Sequence, residues 1–88
     1  MSRQEIMNKI NQIAQAEMHD KAAYHELKNE QDRLSDTGID SFDFIMLYMK
    51  LGEQFGIDNK YFKEGLSDSN PTMNVLIDFI EAHLNKAA

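Results

Sequence analysis

The segment Gly38-Ile39-Asp40-Ser41-Phe42-Asp43 carries more chemistry-bearing side chains than a helix start requires. A hydroxyl at a helix N-terminus ordinarily acts as a cap, accepting an amide hydrogen and contributing about 1 kcal/mol over alanine. Asp40 can do the same job from the preceding position, so capping alone does not use both residues. Phe42 and Met46, one turn apart, fall outside the apolar row Leu47, Leu51 and Phe55, which predicts an apolar strip facing water just after the serine. On spacing alone, a plain cap and a functional hydroxyl both remain open.

Other reactive constellations are poorly supported. The absence of cysteine removes disulfides, thiolate zinc sites and a Cys nucleophile together. His19, His25 and His83 form no i,i+4 pair and are expected to be solvated rather than metal-bound. The stretch Asp36 to Leu47 has an EF-hand flavour, but Leu47 stands where a bidentate Glu is needed and the glycine is misplaced. A Ser-His-acid hydrolase would need a Gly-x-Ser-x-Gly elbow on a sheet, and the chain offers neither. No catalytic residue is therefore expected, and the chain is read as a non-enzyme.

The elements that position Ser41 must come from 88 residues, enough for one domain (1–88) and too few for a deep water-excluded cleft. Fifteen acids against nine Lys and Arg give a net charge of −6, which repels phosphate backbones and anionic lipid. Nucleic-acid and membrane-surface roles are thereby disfavoured, and basic partners are favoured. No apolar run approaches the roughly 20 residues of a membrane span, and a cytoplasmic monomer is expected.

Helical signals dominate the chain. Ser2-Arg3-Gln4-Glu5 reads as a capping box, followed by Ile6, Ile10, Ile13 and Ala14 at helical spacing, so helix one should run from about Arg3 to Glu17. Residues 18–40 read as a long, partly helical connection anchored by Leu34. Phe42 to Phe55 is the strongest helix, with Gly56 placed for a left-handed stop and Ile57 for the apolar contact after it. A short helix is expected within Lys60 to Leu66. Asn70-Pro71 reads as the cap and first residue of a last helix burying Met73, Leu76, Ile77, Ile80 and Leu84. The predicted fold is all-α: a small bundle of three main helices plus one short helix.

Residues Leu34 to Ile57, LSDTGIDSFDFIMLYMKLGEQFGI, resemble the acyl and peptidyl carrier proteins, whose signature is a Gly-x-Asp-Ser-Leu turn into a helix ending in Phe-Gly. Thr72-Met73 to Ile80 resembles the opening of that family's last helix, and the element lengths match over nearly the whole chain. The resemblance implies that Ser41 is the residue esterified by 4′-phosphopantetheine, supplied from coenzyme A. It makes Asp40 the acid that helps a phosphopantetheinyl transferase orient a divalent cation, and Gly38 the turn glycine. The thiol of the attached arm would then hold acyl or aminoacyl thioesters for loading and transferring enzymes. A phosphodiester on Ser41 takes the formal charge from −6 to −7, at a helix end that favours anions.

Several positions depart from the family pattern. Phe42 replaces the usual leucine, Thr37 replaces a usually apolar residue, and Met46 stands where an acid is typical. Lys50 and Gly52 dilute the same face further, while Asp43 and Glu53 remain. Phe42, Asp43, Met46, Lys50 and Glu53 are the expected partner-binding residues, with less charge steering and more apolar contact than usual, as suits a specialised carrier. Phe44, Ile45, Met49 and Leu66 are the expected lining for sheltered cargo. The alternative is an unmodified interaction module using the Phe42/Met46 face.

Overall fold

The computed structural model describes residues 1–66 and 70–87, with residues 63, 65 and 85–87 described by backbone alone. Four α-helices follow in order: α1 (Arg3–Glu17), α2 (Ser41–Phe55), α3 (Asn59–Gly65) and α4 (Met73–Ala87). Among the described residues there is no strand, only an isolated bridge between Arg33 and Thr72. Three long helices and one short helix form the small helical bundle that the periodicity predicts, and no described helix is long and apolar enough to cross a membrane. Its radius of gyration of 11.9 Å matches the roughly 12 Å of a compact chain this long.

Helix α1 begins as its capping box dictates. The Ser2 hydroxyl accepts the Glu5 amide at 3.1 Å, and the Glu5 carboxylate accepts the Ser2 amide at 3.1 Å. Its inner face buries Ile6, Ile10 and Ala14 against Leu47 and Leu51 of α2 and Met73, Leu76, Ile77 and Ile80 of α4, all in one core. Burying such side chains contributes about 1.5–3 kcal/mol each relative to leaving them in water.

The long connection is better ordered than its polar composition suggests. It contains two 3₁₀ turns, Lys21–Ala23 and Leu34–Thr37, and buries Leu27, Leu34 and Ile39. Its backbone is tied to α1 chiefly by the buried Asn11, with Gln15 donating to the Lys21 carbonyl at 3.4 Å nearby. Asn11 donates to the carbonyls of Met7 (3.2 Å) and Leu27 (2.9 Å), and accepts from the Leu27 amide (2.9 Å) and the Tyr24 hydroxyl (2.6 Å). Every hydrogen-bonding capacity of that amide is filled, which removes the cost of burying it. Burial and then the charge of Glu26 push the Tyr24 hydroxyl well above the ordinary tyrosine range.

The start of α4 corrects the sequence reading. Asn70 does not cap it; its amide instead brackets Ser35, accepting from the Ser35 backbone (3.1 Å) and donating to its hydroxyl (2.9 Å). Pro71 lies outside the helix, and its carbonyl accepts the Leu34 amide at 3.1 Å. The free amides of the first turn go elsewhere: Met73 to the Asp32 carbonyl at 2.8 Å, Asn74 to the Glu30 carbonyl at 2.7 Å, and Val75 to the Thr72 hydroxyl at 3.3 Å. Thr72 is thus the cap of α4, and carbonyls from the long connection satisfy two further donors of its first turn.

At the amino end of α1, Arg3 joins three parts of the chain. Its guanidinium pairs with Glu30 at 2.5 Å, with Asp78 at 2.6 Å and with Glu81, and donates to Asn74 at 3.0 Å. These partners, with the hydrogen bonds donated to Glu30 and Asp78 foremost, hold Arg3 charged well beyond the ordinary arginine range.

Candidate functional site

The turn into α2 is built in four steps. Thr37 is buried, yet its hydroxyl donates to the Leu34 carbonyl at 2.6 Å and accepts the Ile39 amide at 3.3 Å, so a polar residue fits an apolar place without an orphaned group. Gly38 follows at φ +94°, ψ 0°, in the left-handed region that side chains avoid. A Cβ there would also stand 3.2 Å from the Met18 methyl and 3.4 Å from the Ala23 carbonyl. Ile39 then plugs the turn into the core. Asp40 finally takes an extended conformation and caps α2, its Oδ1 accepting the Asp43 amide at 2.8 Å.

Ser41 is consequently the first residue of the helix and not its cap, and it is exposed. Its hydroxyl sits at the helix end where free N–H groups favour a nearby anion. Exposed Asp40 precedes it and Gly38 stands behind the turn, so the three residues singled out by sequence come together.

The flanking residues are arranged differently from the expectation. Phe42 is 70% exposed, as anticipated, but the apolar strip continues through Ile45 (59%) and Met49 (43%) rather than through Met46, which is half-buried. Ile45 and Met49 therefore do not line an interior cargo space. Asp43 is not on the outer face either: it is buried, 100° around the helix from Phe42, and lines a groove with Glu17 and His19. That groove, about 590 Å³, is completed by Asp40, Phe42 and Met46, and lies between the end of α1 and the first turns of α2. Lys50 and Glu53 are exposed and pair with each other at 3.6 Å, so the remaining acid of this face is partly neutralised within the chain.

Gly52 has a packing reason of its own. A Cβ on it would fall 2.5 Å from the Ile57 carbonyl, because the chain doubles back there. Gly56 is left-handed at φ +69°, and the Ile57 amide bonds the Gly52 carbonyl at 2.9 Å, which closes α2 with a Schellman stop. Of the other expected lining residues, Phe44 and Leu66 are half-buried against the core.

Among the histidines, His19 and His25 are exposed as expected, whereas His83 is half-buried. It packs 4.4 Å from the Phe79 ring and 5.3 Å from the Tyr61 ring, with Nδ1 3.0 Å from the Phe79 carbonyl. No group of three metal-ligating side chains gathers among the described residues. The sequence reading missed Arg3 and Asn11, whose partners lie far along the chain, and it missed Ile45 as a surface residue. Only its i+3 spacing from Phe42, about 60° apart around the helix, signalled the last of these.

No protein-family model, curated protein or solved structure matches this chain.

Proposed function

We propose that the chain is a carrier protein whose Ser41 hydroxyl is the attachment point of 4′-phosphopantetheine, through which acyl or aminoacyl groups travel as thioesters between cytoplasmic enzymes. The observation that carries this reading is the division of labour at the start of α2: Asp40 makes the cap bond, and exposed Ser41 is not consumed by it. In the transfer, the Ser41 oxygen bonds to the phosphorus bearing the pantetheine. The pyrophosphate P–O bond of coenzyme A breaks, adenosine 3′,5′-bisphosphate leaves, and the transferase takes the hydroxyl proton. This chain supplies the nucleophile, its placement at a positive helix end, and Asp40 as the acid beside the transferase's divalent cation. The chain itself needs no thiol, since the arm brings one.

Partner enzymes would read the face carrying Phe42, Ile45 and Met49, with Lys50 and Glu53 at its rim. The test is intact mass after incubation with coenzyme A, a divalent cation and a phosphopantetheinyl transferase. The carrier reading requires one phosphopantetheine of added mass on the native chain and none on Ser41→Ala.

A second reading, an unmodified interaction module, is favoured by one observation: Phe42, Ile45 and Met49 form a continuous apolar strip on one helix. No mass gain with any competent transferase would favour it over the carrier.

A further inference from the structure

On the carrier reading just given, we infer that the bundle interior is closed to cargo, and that Ser41 carries small acyl or aminoacyl groups held outside the fold rather than long fatty acyl chains. A column of rings closes the wedge between α2, α3 and α4. Tyr48 stacks on Phe62 at 5.4 Å and 12°, Phe62 meets Phe79 at 5.0 Å, and Phe44 covers Tyr48 at 6.0 Å. Phe62 is 2% exposed, and the Tyr48 hydroxyl oxygen is out of contact with solvent, so the column reaches into the core. Below it Leu47, Leu51 and Ile77 are sealed at 0% exposure. A chain growing inward from Ser41 would have to displace packed rings, and interiors packed at crystal-like density yield no such room without repacking.

Among the described residues, an open groove near Ser41 lies on the opposite flank. The groove of about 590 Å³ uses Phe42 and Met46, on the α1 side of α2, whereas Phe44 and Tyr48 face α3. Its lining mixes Glu17, His19, Asp40 and Asp43 with Phe42 and Met46 in an open surface groove, which leaves a long hydrocarbon tail partly in water. A long tail left in water would also lie beside the exposed Phe42, Ile45 and Met49, enlarging the apolar surface that water meets. Short or charged cargo avoids both costs.

The chain contains no cysteine, so Ser41→Cys gives a single alkylation site whose chemistry proceeds whether or not a transferase modifies the native serine. A negative mass result would thus sink the carrier reading and leave this test standing. Ethyl and decyl maleimide adducts are compared by methyl NMR of Leu47, Leu51 and Ile77. The two spectra are expected to coincide at these methyls; decyl-specific shifts would overturn the inference. Adding Tyr48→Leu to open the column should admit the decyl chain and produce those shifts. Their absence in a folded double variant would show that the rings are not the barrier, and would equally overturn it. On the phosphopantetheinylated native chain, decanoyl and acetyl thioesters should react with hydroxylamine at similar rates, and decanoyl protection of about tenfold would contradict the closed interior.

Discussion

Two helices of this protein start with a serine close to an acid, and they treat the hydroxyl in opposite ways. At α1, Ser2 is the cap and is locked into a reciprocal pair with Glu5. At α2, the cap is Asp40, the amide it serves is that of Asp43, and Ser41 stands one residue further on, inside the helix and exposed. The difference is a single position in register. It shows that a hydroxyl near a helix end is available for chemistry only when a neighbour has taken over the backbone's needs.

The widest separation between the two serines is expected in modification. Ser41→Ala should abolish phosphopantetheine incorporation read by intact mass, while Ser2→Ala should leave it at the native level. Loss of incorporation in Ser2→Ala at a temperature where it is folded would break the comparison. Next in size is Gly38→Val. Forcing a β-branched residue into a left-handed conformation beside Met18 is expected to cost about 2 kcal/mol in urea unfolding and to slow incorporation by disturbing the turn. Asp40→Ala removes the cap of α2 and should cost about 1 kcal/mol, or less if Ser41 is drafted into the cap. That second outcome would be marked by slower incorporation, and Asp40→Asn, which keeps a capping oxygen, should preserve stability and isolate the charge's part in the transfer.

The smallest effect concerns pH at α1. The Ser2 backbone and hydroxyl hold the Glu5 carboxyl below the usual glutamate range. Its ionised form is the one the fold prefers, so its contribution is present above the unfolded pKa of roughly 4.3. That contribution is lost as pH falls through the folded value. Glu5→Gln should therefore show a shallower acid decline in stability than the native chain, with no change in incorporation at neutral pH.

The contrast also explains what could be read from the sequence. The capping box of α1, both ends of α2 to within a residue, the glycine stop at Gly56 and the cluster of Gly38, Asp40 and Ser41 are local patterns, and local hydrogen bonds enforce them. Features settled by distant partners were hidden. Asn70-Pro71 has the composition of a helix start, but Asn70 bonds Ser35 and the amides of α4 find carbonyls near residue 30. Asp43 looks like a surface acid until α1 packs beside it. Ile45 and Met49 look like interior residues until the ring column of Tyr48, Phe62 and Phe79 takes the space they would have lined.

The clasp at Arg3 sets up a mechanical asymmetry. Its carboxylate partners are partly solvated, so dissolved salt weakens it. It sits at the opposite end of α1 from Glu17, about 21 Å away by helix rise, and Glu17 borders the groove beside the serine turn. Raising ionic strength should therefore fray the molecule from its far pole first, with amide exchange quickening around residues 30 and 74 while the turn that presents the hydroxyl keeps its shape.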